Sequence, residues 1–469
     1  MKELLIPINS CDKTPLYEQI YAFIRQEIRE RKIDAGEGLP SSRALSGQLQ
    51  VSRSTVDLAY EQLVSEGYIE SIPCKGYYVC EMEELYQLKL GSPKIHIASP
   101  QIQETYRFDF AVNGIDPDGF PQNAWRKISK HVLQEDDGSL FQLGDSMGEA
   151  GLRSAIADYL HYARGMHVTA EQIVVGAGND YLLMLLSVIL GKDTKIAMED
   201  PTYRSAWQCF KNLGHEVCAV SLDESGMCPE RLEESGADVA YVMPAHQFPM
   251  GMVMPMKRRL QLLAWAKARH GRFIIEDDYD SEFRYKGKPI PALQGYDQQE
   301  TVIYLGTFSK SIAPAIRISY MVLPQSLMGA YAEHAHNFSA TVSRVDQKII
   351  EVFLRDGYFE RHLNKMRALY KNKHDLMLRC IRQQSEICEV SGEHAGVHML
   401  VWLKRNMTEE RAVELAKAAG IRVYPLHAYT LQKSGTNASA NQAVLLGYAT
   451  IPEENIVDAM ESLFESWNI

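Results

Sequence analysis

The 469-residue chain is 46% hydrophobic and 23% charged, with a formal net charge of −11. Its length predicts two or three domains of ordinary globular composition, and its acidity excludes a broad electrostatic grip on nucleic acid. The longest apolar run, Leu182 to Leu190, is too short to span a bilayer, and the N-terminus lacks the pattern of a signal peptide, so a cytoplasmic protein is expected.

In chain order, Leu16, Ile20, Phe23, Ile24 and Ile28 keep helical period between Thr14 and Arg31, with Pro15 in the first turn. Gly36 and Gly38 break that helix. Ser41 or Ser42 suits the N-cap of a second helix carrying Leu45 and Leu49. Ser52 suits that of a third, with Val56, Tyr60, Leu63 and Val64 as its buried stripe. Gly67 stops it, and residues 68–80 read as a hairpin turning at Cys74-Lys75-Gly76. Three helices and a hairpin describe a winged helix-turn-helix. Residues 1–80 hold nine Lys and Arg against eleven Asp and Glu, a net of −2. If such a head binds DNA, it does so through a few placed side chains, helix N-termini and dimerisation.

Residues 81–106 open acidic, contain Pro93 and Pro100, and lack long Gly/Ser runs, so a partly ordered linker is expected. From Phe108 onward short apolar strands, such as Ile173–Val175, Val239–Val242, Phe273–Ile275 and Val302–Leu305, alternate with helical stretches. That rhythm predicts an α/β fold, a mainly parallel sheet with helices on both faces, whose site lies beyond the carboxyl ends of the strands. A helical stretch from about Val345 to Gln383 then leads to a smaller C-terminal α+β unit. The eight cysteines (Cys11, Cys74, Cys80, Cys209, Cys218, Cys228, Cys380 and Cys388) form no CxxC pair and no zinc-finger spacing. Free thiols are expected, with no disulfide and no metal site.

Lys310 lies in Gly306-Thr307-Phe308-Ser309-Lys310-Ser311, with Arg317 seven residues on. Small hydroxylated neighbours and a guanidinium suit a Schiff base to a phosphorylated aldehyde. Glu276, Asp277 and Asp278 end an apolar strand, where a carboxylate can hold a cationic ring nitrogen and Tyr279 points to the same side. They could equally form an acidic loop that caps a helix; a Mg²⁺ site would lack its phosphate-cradling GKS or GKT loop. Gly176-Ala177-Gly178-Asn179-Asp180 either exposes helix N–H groups to a phosphate, with Thr307, Ser309 and Arg317 completing the pocket, or is a plain turn. Tyr203 either stacks on a flat cofactor or is an ordinary half-buried aromatic. His246, in Pro244–Gly251, is either a ligand or proton carrier, or a hydrogen-bonded histidine shaping a proline-flanked turn.

Together these elements resemble the fold-type I pyridoxal-phosphate enzymes of the aspartate-aminotransferase superfamily, and the head resembles the GntR winged-helix family. The pair in that order is similar to the MocR/GabR-like regulators, over about residues 14–80 and 107–469. Ile275–Phe283, His246–Pro249 and Gly306–Met321 carry the likeness. The resemblance implies a DNA-binding head at 1–80, a linker at 81–106 and an effector domain at 107–469, with a seven-stranded large sheet and a small subdomain at about 385–469. It implies pyridoxal 5′-phosphate as cofactor, with Lys310 forming the internal aldimine and Asp277 pairing with the pyridine nitrogen. Tyr279 would bond the ring hydroxyl, Tyr203 would stack, and Gly178, Asn179, Thr307, Ser309 and Arg317 would hold the phosphate. In the head it assigns Ser41, Arg43, Ser52, Arg53, Ser54 and Thr55 to DNA and Lys75 and Gly76 to the wing tip. The implied partners are a double-stranded DNA operator, a small amino-compound effector and a second copy in a head-to-tail, domain-swapped homodimer, with no membrane.

The chain departs from the family at four places. Leu143, in Gln142–Asp145, stands where many relatives place a tyrosine that reaches the partner subunit's phosphate. Phe248-Pro249-Met250-Gly251 replaces the Asn-Pro-Thr-Gly turn. Val444–Tyr448 lacks the arginine that grips a substrate carboxylate. Ser205 and Tyr429 stand where GABA-responsive members place arginines, which leaves Arg204, Arg422 and Tyr429 as candidate effector contacts. The expectation is a transcription regulator sensing an amino compound, or the cofactor itself, through Lys310. The alternatives are an aminotransferase with a regulatory head, and a DNA-binding protein that keeps the cofactor as structural ballast.

Overall fold

A computed structural model describes residues 4, 6–9, 12, 14–81, 105–134, 138–285, 290–392, 395–431 and 442–468. The chain divides into two compact units, residues 1–102 and 103–469. The expected linker lies almost wholly outside the described residues, as does Cys11.

In the first unit, α1 (Leu16–Arg29) buries Ile20, Ile24 and Ile28, spaced four apart on one face. It ends before the glycines expected to break it, because Arg31 takes a left-handed backbone (φ 54°) and the Lys32 N–H returns to the Glu27 carbonyl. Helix α2 (Ser42–Leu49) is capped by Ser41, whose hydroxyl accepts from the Ala44 N–H at 3.2 Å. Helix α3 (Arg53–Ser65) is capped by Ser52, which accepts from the Thr55 N–H at 3.2 Å. Its buried stripe is Val56, Ala59, Tyr60 and Leu63. Val64, expected in that stripe, is 37% exposed: eight residues from Val56, it lies about 80° around the helix. Strands β1 (Ile69–Ile72) and β2 (Gly76–Val79) form the hairpin, with Cys74 and Gly76 at positive φ near its tip.

The second unit opens with β3 (Phe108–Asp109), α4 (Gln122–Gln134), α5 (Ala150–Arg164), β4 (Ile173–Gly176), α6 (Asn179–Leu190), β5 (Ile196–Asp200) and α7 (Arg204–Asn212). It continues through β6 (Val217–Asp223), β7 (Gly226–Met227), α8 (Pro229–Glu234), β8 (Val239–Val242), α9 (Met256–Lys267), β9 (Phe273–Asp278), β10 (Val302–Thr307), β11 (Ser319–Val322) and α10 (Gln325–His334). The large sheet runs β4-β11-β10-β9-β8-β5-β6-β7. Strands β10, β9, β8, β5 and β6 are parallel, while β11 is antiparallel to both its neighbours. The seven expected strands are joined by an eighth, β7, which folds back on β6. Buried residues along β4, β5 and β8 reflect a sheet covered on both faces.

The helical stretch read from 345 to 383 is two helices, α11 (Arg344–Arg355) and α12 (Tyr358–Gln383), because Gly357 takes φ 69° between them. Then come β12 (Cys388–Ser391), β13 (His398–Leu403), α13 (Glu409–Ala418), β14 (Ile421–Arg422), β15 (Tyr424–Pro425), β16 (Ala443–Gly447) and α14 (Ile456–Trp467). The order β12-β13-β16-β15 makes a small antiparallel sheet, and β14 pairs in parallel with β3. Buried Lys373 of α12 pairs with Asp116 and donates to the carbonyls of Ala449 and Ile451. One ammonium thus ties the segment after β3 to the C-terminal part. Among the described residues, no helix is long and apolar enough to cross a membrane.

Candidate functional site

Strand β9 ends in three consecutive carboxylates, which pleat alternation sends apart. Glu276 accepts from the N–H groups of Leu293 and Gln294 at 2.7 and 2.9 Å. Asp278 pairs with Arg164 at 2.7 Å and accepts from the Tyr304 hydroxyl at 2.6 Å. Asp277, between them, lines a cavity of about 220 Å³ at the carboxyl end of the sheet. It accepts from the Tyr241 hydroxyl and, at 3.4 Å, from the Asn179 amide. Burial pushes its carboxyl up to about 6, against the lowering effect of those two bonds.

Lys310, in the turn after β10, lines the same cavity and donates to the Val112 carbonyl at 2.6 Å. Desolvation brings its amine down to about 8, opposed by the charge of Asp280. An amine lowered toward neutral pH is a competent nucleophile. At the other end stand Gly178 and Arg317. The Arg317 guanidinium is 3.3 Å from Asp180, and a Cβ on Gly178 would meet it at 2.3 Å. With φ at 90° as well, this close approach requires glycine. Thr307 accepts from the Ser319 hydroxyl at 2.9 Å and the Ser309 N–H at 3.1 Å. Tyr203, which caps the start of α7, forms an edge-to-face pair with Phe248 at 6.3 Å, and both line the cavity.

Behind Tyr279, a lining residue, lies a buried polar cluster. The Nδ1 atom of His246 is 2.9 Å from the Tyr279 hydroxyl and 2.9 Å from Asp280 Oδ2. His398 places Nε2 3.2 Å from the Pro249 carbonyl, with its ring 5.2 Å from that of His246. Burial drives the His398 imidazole down to about 3. Gly396 has φ 77°, and a Cβ there would lie 2.1 Å from His246 Cε1.

The candidate effector contacts lie apart from this cavity. Arg204 donates to the Ala428 carbonyl at 3.2 Å. Arg422 lies 3.6 Å from Asp109 and packs over the rings of Tyr106 and Tyr424. Tyr429 sits edge-on to Phe248 at 5.0 Å. None of the three lines the cavity, where the cationic residues among those described are Lys310 and Arg317. Leu143 is 94% exposed.

Tyr241, Val112 and His398 carry no signal that the sequence reading singles out. Tyr241 lies in a strand the sequence predicts, and its signal is a lone hydroxyl among apolar neighbours. Val112 contributes a backbone carbonyl, which any residue possesses and no motif advertises.

In the head, Ser41, Arg43, Ser52, Arg53 and Ser54 are exposed at the N-termini of α2 and α3, and Thr55 is half-buried. The Ser52 hydroxyl bonds those of Ser54 and Thr55 at 2.8 and 2.7 Å, and Arg53 is 3.6 Å from Asp57. Lys75 is exposed beside Gly76 (φ 109°) at the hairpin tip.

Residues 108–463 match the family model of class I and II aminotransferases, and residues 16–79 that of the gntR family of bacterial regulatory proteins. The uncharacterized HTH-type transcriptional regulator YdeL of Bacillus subtilis (strain 168) is 36% identical over 98% of this chain and 99% of its own length. The probable rhizopine catabolism regulatory protein MocR of Rhizobium meliloti is 29% identical over 96% of this chain and 93% of its own. An archaeal alanine:glyoxylate aminotransferase superposes with a TM-score of 0.69 at 26% identity, covering 77% of this chain and 90% of that one. Aminotransferases of this class depend on pyridoxal 5′-phosphate. The cavity fits that group: Asp277 is a buried carboxylate met by two neutral donors, Asn179 keeps a buried oxygen unpaired, and Gly178 lets the Arg317 guanidinium come closer than a side chain there would allow. The chain belongs to the HTH-type transcriptional regulators that carry a gntR-family head ahead of a class I and II aminotransferase domain.

Proposed function

We propose that this DNA-binding regulator senses an amino compound, or the cofactor itself, at Lys310. One observation carries the reading. Lys310 and Asp277 share a cavity whose described wall offers a single arginine, and that arginine, Arg317, already stands between Asp180 and Gly178. A cofactor phosphate would take it, leaving no described guanidinium to grip a substrate carboxylate as full turnover requires.

When bound, pyridoxal 5′-phosphate supplies a reactive carbonyl carbon and an electron-withdrawing ring. The Lys310 amine would hold that carbon, and Asp277 would pair with the ring nitrogen. Tyr279 would bond the ring hydroxyl and Tyr203 would stack on the ring. Gly178, Asn179, Thr307, Ser309 and Arg317 would hold the phosphate. Tyr429 would shape the effector end through Phe248, with Arg204 and Arg422 as effector contacts outside the cavity lining. In the head, Ser41, Arg43, Ser52, Arg53, Ser54 and Thr55 meet DNA as α3 enters the major groove, with Lys75 and Gly76 at the wing tip.

A Lys310 amine not engaged with the cofactor would donate to Val112, as it does here, three residues beyond β3, the first described strand after the linker. An effector that binds the two arrangements of this segment unequally shifts their populations. The working form in this reading is a cytoplasmic, head-to-tail homodimer of residues 1–80, 81–106 and 107–469 acting as head, linker and effector domain.

The test pairs two measurements on the full chain loaded with pyridoxal 5′-phosphate. Amino acids and D-alanine-containing dipeptides are titrated while the visible spectrum and binding to a duplex selected from a randomised pool are followed. An active compound is expected to change both, and Lys310→Ala to abolish both responses. An unchanged DNA response in Lys310→Ala overturns the reading, as does complete amino acid to keto acid turnover without any DNA response.

A further inference from the structure

We propose that Asp280 fixes His246 as its Nδ1–H tautomer and thereby turns the Tyr279 proton into the cavity, toward the ring hydroxyl of the cofactor. This rests on the reading that Tyr279 faces that hydroxyl. An imidazole Nδ1 carries at most one hydrogen, and an ionised carboxylate only accepts. His246 Nδ1 lies 2.9 and 3.1 Å from the two oxygens of Asp280. A bare Nδ1 there would set its lone pair against a carboxylate inside the protein, so the hydrogen sits on Nδ1. That nitrogen then has no lone pair for the phenol 2.9 Å away. Tyr279 meets His246 as an acceptor, and its own O–H has two acceptors within reach, Asp280 and whatever occupies the cavity. With the Asp280 oxygens facing the His246 N–H, that proton goes to the cavity.

The surroundings agree. His246 Nε2 is buried without a partner, which suits a bare acceptor better than an N–H donor left unsatisfied inside the protein. His398 donates from Nε2 to the Pro249 carbonyl, and its burial keeps a second positive charge out of the cluster. The titratable groups that face His246 are Tyr279 and Asp280 after β9, His398 on β13, and Lys310, whose charge acts on Asp280 and His398. Burial and the adjacent carboxylates hold the Tyr279 phenol protonated, as a donor must be. His246 is therefore a positioning residue acting through Tyr279.

The measurement is the pH midpoint of the visible absorbance of the full chain loaded with pyridoxal 5′-phosphate. A phenol donor stabilises the anionic ring oxygen, so Tyr279→Phe should raise the midpoint by about one unit, the scale of a single hydrogen bond. Asp280→Asn and His246→Phe should move it in the same direction. His246→Asn, whose amide can offer an N–H near the Nδ1 position, should restore most of the shift. A midpoint unmoved by Asp280→Asn and His246→Phe but raised by Tyr279→Phe overturns the tautomer lock and leaves Tyr279 facing the cofactor. A midpoint unmoved by Tyr279→Phe overturns the underlying reading instead. Should the variants fail to fold, ¹⁵N-histidine NMR of the unaltered, cofactor-free chain decides: the expected pattern for His246 is the Nδ1–H tautomer, and an Nε2–H pattern overturns the proposal.

Discussion

Asp277 sets the pH behaviour of the cavity. Its folded value of about 6 lies above the ordinary carboxylate value of about 3.9. The folded chain therefore binds more protons than the unfolded one between these values, and the stability from that extra proton is present below about pH 4 and lost as pH rises through about 6. In the cofactor-free chain, Asp277→Asn is expected to melt higher at pH 7 by calorimetry, with the gain shrinking as pH falls from 6 to 4. The same substitution should weaken pyridoxal 5′-phosphate binding tenfold or more in an absorbance titration, since a neutral amide cannot pair with a ring cation. That Lys310, Asp277 and Arg317 line one cavity was legible in the sequence because each is a reactive or charged side chain at or near a strand end. Tyr241 was not, because its contact arises from β8 lying beside β9 in the sheet. Arg204 and Arg422 were named for nearness along the chain, and strand and helix direction carried both guanidinium groups elsewhere.

Elements show the same division between local and tertiary causes. Ser52 was readable as a cap because a hydroxyl one residue before a helical pattern satisfies an orphan N–H. Ser52→Ala should cost the head about 1 kcal/mol in denaturant unfolding, and should also weaken DNA binding, since Ser52 orders Ser54 and Thr55. The ends of α1 and of the stretch from 344 to 383 were harder to read. A glycine inside a long helical pattern is a weak breaker, and it is the left-handed backbone of Gly357 that separates α11 from α12. Gly357→Ala should accordingly destabilise the chain by about 1 kcal/mol, measured by urea unfolding, because alanine resists that conformation.

Across the whole molecule, the second unit is held by a buried charge as well as by its apolar cores. Lys373→Met would leave Asp116 and two carbonyls without their ammonium, a loss of about 3–5 kcal/mol. Thermal unfolding should show it, and adding Asp116→Leu should recover part of it. The acidic balance of the chain shapes DNA binding differently. If each head of a dimer brings Arg43, Arg53 and Lys75 to phosphates, log affinity should fall against log salt with a slope of about −5; a slope near zero would exclude those contacts. A last consequence belongs to Gly396, where the space beside His246 is the width of one missing methyl group. Glycine becomes alanine by a single base change. A descendant of this chain could thus keep every reactive side chain and an intact DNA-binding head, yet have its histidine–aspartate pair pushed apart. A roll of its functional residues would read as complete. The inheritance that matters here includes a methyl group that is not there.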